Sequence, residues 1–277
     1  MKRVGVAAVL CACSAFGADS SGGAGVDAPD ASTSTPPSDA GGGDATPNTT
    51  GDSTAGVFAC PAGAVQCEDF DHADFSATWT TKPMQLFKLV PNEDPVHRGV
   101  GKVLIDTKSW TAPVEDALEK DLSLGGTART IALDFSVRSD QFPKGQIVEV
   151  AKLLADHLLV RVVLATSADD VVSVDLSTFS RDTNQQISTP VQTGVISDHA
   201  WHAIHLELTT SDLPAAVQSK YSARVDTLAP KSADVVAPEG KTTTAGVRSV
   251  VGISYVTDFV GPTHYAIDDV VVTARPL

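Results

Sequence analysis

In TIALDFSVR (residues 130–138) the apolar side chains Ile131, Leu133, Phe135 and Val137 alternate with Ala132, Asp134, Ser136 and Arg138. A period of two puts one set on each side of an extended chain and gives a helix no continuous apolar stripe. WHAIHLEL (201–208) repeats the pattern, with Ile204, Leu206 and Leu208 predicted to face inward. Around these lie MQLFKLV (84–90), KVLIDT (102–107), DALEKDLSL (116–124), QIVEVAKLLA (146–155), HLLVRVVLA (157–165), DVVSVDLSTF (170–179), YSARVDTL (221–228), SVVGISYV (249–256) and YAIDDVVV (265–272). Gly, Pro, Asp, Asn and Ser separate most of them, as expected between strands. QIVEVAKLLADHLLVRVVLA is long enough for a helix, but Asp156 and His157 interrupt it and β-branched residues flank the break, so it reads as a hairpin. SDLPAAVQS (211–219) reads as a short helical turn. No repeat of 20–50 residues marks a propeller or solenoid. Strands without helical interludes predict an all-β, two-sheet antiparallel sandwich.

Composition divides the chain in two. Residues 14–56 are almost entirely Gly, Ala, Ser, Thr, Pro and Asp. Such a segment has too little apolar surface to offset an ordering cost of roughly 1–2 kcal/mol per residue, which predicts a flexible tether. Residues 57–277 carry the Val, Leu and Ile needed for one substantial core and read as one domain. The formal charge of −14, with no run of Lys or Arg, disfavours nucleic acid and anionic lipid surfaces as partners. No stretch approaches the roughly 18–20 apolar residues of a membrane-spanning helix.

The chain opens with Lys2 and Arg3, an apolar run from Val4 to Leu10, and then small residues, the order of a secretory signal. Leu10, Cys11, Ala12 and Cys13 resemble the bacterial lipobox. That resemblance implies a signal peptide over 1–12, lipidation of Cys13 (thioether-linked diacylglycerol and an amide-linked chain such as palmitate) and a tether over 13–56. Ser14 after the lipidated position resembles sorting to the outer membrane. A tether of this length has a root-mean-square span of roughly 35–40 Å at about 5–6 Å × √n. In an exported chain the close pair Cys60 and Cys67 is expected to form a disulfide, stabilising by about 2–3 kcal/mol on the chain-entropy model. A zinc site is the alternative, but no second cysteine pair completes four ligands.

Three segments carry a second resemblance: CEDFD (67–71), DHAWHAIHLEL (198–208) and YAIDDVVV (265–272). Together with the strand pattern over most of residues 65–277 they resemble the concanavalin A-like, laminin-G-like jelly rolls. The resemblance implies a jelly-roll sandwich whose first and last strands are neighbours. It also implies a structural calcium near those strands. On that arrangement Glu68, Asp69 and Asp71 would meet Asp268 and Asp269, and Ca²⁺, which takes oxygen ligands, would relieve the repulsion. Strand parity sends Asp268 and Asp269 to opposite faces unless a bulge intervenes; the alternative is acids that face solvent or pair with Lys and Arg.

Catalytic patterns are sparse. Retaining jelly-roll glucanases set two Glu and an Asp along one strand, and the nearest match, EDALEKD (115–121), holds Ala117 at the middle position. His202, His205, Tyr221, His264 and Tyr265, with the amides of Gln185 and Gln186, could serve a polysaccharide lyase, but they form no recognisable signature. His202 and His205 have opposite parity on their strand. For a sugar site the exposed-aromatic candidates are Trp110 and Tyr255, with Trp79 and Trp201 expected in packing roles. The sequence therefore leads to an exported protein, lipid-anchored to the outer membrane, whose jelly roll is a non-catalytic glycan-binding module. Its rivals are a polysaccharide lyase or glycoside hydrolase of the same fold, and a structural or protein-contact envelope module.

Overall fold

The computed structural model describes residues 58, 60–83, 85–93, 97–106, 115–122, 129–155, 158–167, 171–180, 184–188, 190–197, 199–210, 218–236, 246–256 and 259–276. The signal, Cys13, the tether and Trp110 lie outside them. All described elements are strands: β1 (Ala64–Glu68), β2 (Phe87–Pro91), β3 (Gly99–Ile105), β4 (Asp116–Leu122), β5 (Arg129–Gln141), β6 (Ile147–Ala155) and β7 (Leu158–Thr166), followed by β8 (Val172–Ser180), β9 (Val191–Ile196), β10 (Trp201–Thr210), β11 (Gln218–Val225), β12 (Lys231–Val236), β13 (Val247–Val256) and β14 (Thr263–Pro276). Among the described residues no helix is long and apolar enough to cross a membrane.

The period-two reading holds. Ile131, Leu133, Phe135 and Val137 of β5 and Ile204, Leu206 and Leu208 of β10 are all buried, and the two strands pair antiparallel. The expected hairpin is present, with β6 and β7 paired from Ile147↔Ala165 to Ala155↔Leu158. Where a helical turn is expected, Gln218 and Ser219 instead begin β11, and residues 211–217 lie outside the described set. Three strands go beyond the sequence reading, β1, β9 and β12. They are short, and β9 and β12 are sheet edges, where a strand needs few apolar residues.

One sheet runs β12-β11-β10-β5-β14-β3-β2, with β1 also pairing β14; the other runs β4-β13-β6-β7-β8-β9. The chain crosses between sheets from β3 to β4, β4 to β5, β5 to β6, β9 to β10, β12 to β13 and β13 to β14. The result is a two-sheet antiparallel jelly roll whose core lies between the sheets. As expected, the first and last strands are neighbours, with Glu68 opposite Val270.

Two buried contacts fix the sheets relative to one another. Asp116 on β4 accepts hydrogen bonds from the backbone N–H groups of Gln85 (2.9 Å), Leu86 and Phe87 (3.0 Å), fastening the start of β2 across the core. Tyr265 on β14 donates its hydroxyl to the Gly252 carbonyl of β13 at 3.0 Å. Gly252 has φ +132°, and a Cβ there would lie 2.8 Å from the Phe87 ring, so only glycine fits. Cys60, ahead of β1, is joined by a disulfide to Cys67 within β1, with Cα atoms 5.9 Å apart.

Candidate functional site

Regular alternation on β14 would separate Asp268 and Asp269. The register changes between them: Asp268 faces Ser136, whereas Val271 faces Asp134, so Asp269 and Val270 together oppose Phe135. This is a β-bulge, and its extra residue, Asp269, sits in the left-handed region at φ +51°. The bulge turns both carboxylates toward one histidine. His97 Nδ1 lies 2.6 Å from Asp268 Oδ2 and 3.6 Å from Asp269 Oδ2. The Asp269 N–H donates to Asp268 Oδ1 at 2.8 Å.

Burial pushes the Asp268 carboxyl up to about 8, assisted by the negative charges of Asp269, Asp71 and Asp69. Burial also raises Asp269, and His97 opposes that rise. The His97 ring stacks on Trp201 with centroids 4.0 Å apart, and the Arg138 guanidinium lies 5.0 Å from the Trp201 centroid. Trp201 thus packs between two side chains, the role expected of it.

Beside this group runs a ring of alternating charge. Arg138 pairs with Glu93 and Asp140 at 2.7 Å each, and Lys102 with the same two carboxylates at 2.8 and 3.1 Å. The hydrogen bond from Lys102 leads in holding Glu93 below its ordinary value. At Asp140 burial works the other way, but Arg138 and Lys102 outweigh it and the carboxyl is lowered. A mutually satisfied ring of this kind is structural.

The expected carboxylate cluster is only partly assembled around Asp268. Glu68 turns away, accepting from Trp79 Nε1–H at 2.8 Å and Ser76 N–H at 2.9 Å. Asp71 accepts the Gly99 N–H at 2.7 Å, and Asp69 accepts the Asp71 N–H at 3.3 Å. Both bear on Asp268 through charge. The group with ligand atoms within 4.8 Å of one another is His97, Asp268 and Asp269. Two carboxylates with further negative charge nearby fit a divalent cation. The oxygens suit Ca²⁺, and an imidazole ligand suits Zn²⁺ or Mn²⁺. Nothing in PNEDPVHRGV marks His97 as a partner of β14; the contact exists only once the β2–β3 connection is folded.

Tyr255 lies on the outer face of the six-stranded sheet, 39% exposed and opposite Glu149 in register. Glu149 faces Val163, Val163 faces Asp175, and Asp175 faces Gln192. Tyr255, Glu149, Val163, Asp175 and Gln192 therefore form a row across β13, β6, β7, β8 and β9, about 19 Å long at about 4.8 Å per strand. Lys152, Arg161 and Ser177 form the adjacent row.

Glu149 is 4% exposed, with Arg161 Nε at 3.0 Å, Lys152 at 3.9 Å and a short hydrogen bond from Ser254. Burial raises its carboxyl despite those partners, and burial likewise raises Asp175, which accepts from Ser173 at 3.1 Å. Arg161 also lies 4.0 Å over the Phe179 ring and donates to Asn184 at 2.7 Å. Three of the four EDALEKD acids are bound up in ion pairs, Glu115 with Lys152, and Glu119 and Asp121 with Arg248, while Asp116 holds the start of β2. His205 pairs with Asp134 at 2.6 Å on the outer face of the eight-stranded sheet.

No family model matches the chain, and no curated protein sequence matches it. Among solved structures, it is similar to an engineered GH43 glycoside hydrolase with endo-xylanase and exo-arabinofuranosidase activity (14% identity, TM-score 0.48, 78% of this chain and 41% of that one). It is also similar to alginate lyase A1-II' of polysaccharide lyase family 7 (13% identity, TM-score 0.46, 70% and 85%) and to cellulose induced protein Cip1 (9% identity, TM-score 0.45, 75% and 96%). The chain spans less than half the length of the GH43 protein and about a quarter of a bifunctional GH43-CE protein of Bacteroides eggerthii (26%). Likenesses this distant concern the path of the chain alone.

Proposed function

We propose that this protein is an exported, lipid-anchored surface protein of the outer membrane and that its jelly roll is a non-catalytic glycan-binding module. The observation that carries the reading is the row from Tyr255 to Gln192. An exposed aromatic ring at one end supplies a stacking surface, and Asp175, Gln192, Lys152 and Arg161 supply hydrogen-bonding groups for hydroxyls. The formed Cys60–Cys67 disulfide supports export, because such bonds persist in oxidising compartments. Cys13 is the lipidated residue on this reading, and mass spectrometry of the membrane-extracted chain tests it.

The purified chain, titrated with a panel of soluble oligosaccharides, is expected to bind at least one saturably. Y255A is expected to weaken binding roughly tenfold, about 1.4 kcal/mol. Absence of saturable binding across the panel refutes the reading and favours a protein-contact role.

A second reading, a glycoside hydrolase, rests on Glu149 and Asp175. Both carboxyls are raised, and they stand two strands apart on one face, about 9.6 Å between backbones. Inverting enzymes separate their carboxyls by about 6.5–9.5 Å. Release of reducing ends from a bound glycan, abolished in E149Q and D175N, would establish it. A lyase would instead release unsaturated ends.

At the β14 bulge the proposed resident is a structural cation, Ca²⁺ by the carboxylate chemistry, held by Asp268 and Asp269. Saturation at 100 times its Kd adds about 2.7 kcal/mol of stability. A melting temperature unmoved by Ca²⁺, Mn²⁺, Zn²⁺ and chelator alike counts against any cation there.

A further inference from the structure

Away from both faces, Ser197, His202 and Asp226 form a hydrogen-bonded chain. Ser197 Oγ lies 3.0 Å from His202 Nε2, and His202 Nδ1 lies 2.8 Å from Asp226 Oδ2. Three elements bring them together. Ser197 directly follows β9, His202 is the second residue of β10, and Asp226 directly follows β11, the neighbour of β10. Asp226 is clamped: its N–H donates to the Ala203 carbonyl at 2.7 Å, and its Oδ1 accepts the Ala203 N–H at 2.8 Å. It holds this pose at φ +52°.

The backbone also fixes the tautomer. The Ser197 N–H donates to His202 Nε2 at 3.0 Å, so Nε2 carries the lone pair and Nδ1 carries the proton directed at Asp226. The Ser197 N–H and Oγ share that one lone pair, so the imidazole takes the hydroxyl proton as the N–H bond to Nε2 gives way. The His202 side chain is 15% exposed whereas Ser197 faces solvent, so the base is sheltered and the hydroxyl is reachable.

We propose that, apart from the glycan face, to which the non-catalytic reading is confined, Ser197 is a nucleophile toward short carboxylic esters, with His202 as its general base and Asp226 as the residue that positions the imidazole. Order and spacing of atoms follow the Ser-His-Asp logic, which is recognised by geometry and not by sequence position. In acylation the Ser197 Oγ–carbonyl bond forms, the Oγ proton passes to Nε2, and the ester C–O bond breaks. The alkoxide leaves with that proton. Water then attacks the acyl group, gives its proton to Nε2, and Oγ departs and recovers it, releasing the acid.

Ester, and not amide, is the class indicated. The nucleophile's own N–H is committed to His202 and gives no help to the oxyanion, a contribution worth roughly 10²–10³-fold where present. A short acyl chain is proposed because two exposed apolar side chains, Val195 and Leu228, flank the triad in sequence. Val195 lies two residues before Ser197; Leu228 lies two after Asp226 and packs against Gly194.

The test treats the purified full chain with a fluorophosphonate. Oγ–P bond formation expels fluoride, the proton passes through His202 to solvent, and intact mass reads the adduct. One adduct per chain, mapped to Ser197, is expected. S197A should show none. D226N should label at least tenfold more slowly and, with p-nitrophenyl acetate, lower kcat while leaving KM unchanged, at an unaltered melting temperature. No adduct on the unmodified chain, or undiminished labelling of S197A, overturns the proposal. Equal labelling of D226N removes Asp226 from it. Either failure leaves the glycan face untouched.

Discussion

The Asp268 carboxyl at the β14 bulge carries the largest specific pH effect in this account. Its ordinary value is 3.8, and burial with the charges of Asp269, Asp71 and Asp69 raises it to about 8 in the folded chain. A raised folded value means that the folded state holds a proton that the unfolded state has lost. Stability linked to Asp268 is therefore full below about pH 4 and falls as the pH rises toward 8. At about 1.36 kcal/mol per pKa unit the ceiling on that loss is about 5–6 kcal/mol. Relaxation and water penetration around a buried carboxylate offset part of it, so a loss of about 2–4 kcal/mol is expected. D268N cannot ionise and lacks this component. Urea unfolding of both proteins in chelator, from pH 4.5 to 8.5, isolates it, because the other titrating groups are common to both. The gap between the two curves should change by about 2–4 kcal/mol across the range, and saturating Ca²⁺ should suppress the change. Curves that run parallel refute the reasoning.

Two further perturbations follow from buried carboxylates. D116A removes the acceptor of three backbone N–H groups at the start of β2, and at about 1.5 kcal/mol per charge-assisted bond it should cost about 4–5 kcal/mol, read by urea denaturation. E149Q puts a neutral isostere in place of a carboxyl that burial raises despite Arg161 and Lys152, so it should cost little at acid pH, where both side chains are neutral, as read by urea denaturation. Because burial raises Glu149, the wild type should be most stable relative to E149Q below the ordinary value of 4.5 and lose ground as the pH rises.

Strand alternation is a local property, so β5, β10 and the β6–β7 hairpin could be read directly from their side chains. So could the Cys60–Cys67 bond, from spacing and an exported context. The edges were harder. VQTGVI and KSADVV carry few apolar residues because one side of each strand has no neighbour. The bulge was legible only as a condition, since it places Asp where a left-handed backbone ordinarily favours glycine. His97 reaches Asp268 across 171 positions, and no local pattern encodes that contact. Tyr255 was visible as a candidate aromatic. Its companions Glu149, Asp175 and Gln192 were not, because they share a face only through the registers of four strand pairs. His202 was visible as a candidate base, but its partners Ser197 and Asp226 escaped for the same reason: they are close to it in sequence or in sheet order, and only the β10–β11 register sets Asp226 beside the imidazole.

The central claim is that the outer face of the six-stranded sheet binds glycan. Calorimetric titration of the chain and of Y255A with the same oligosaccharide panel tests it most directly. Saturable binding by the chain, about tenfold weaker binding by Y255A, and no change in the melting temperature of that variant are expected. Binding unaltered in Y255A would contradict the assigned face, and no binding by either protein would contradict the function.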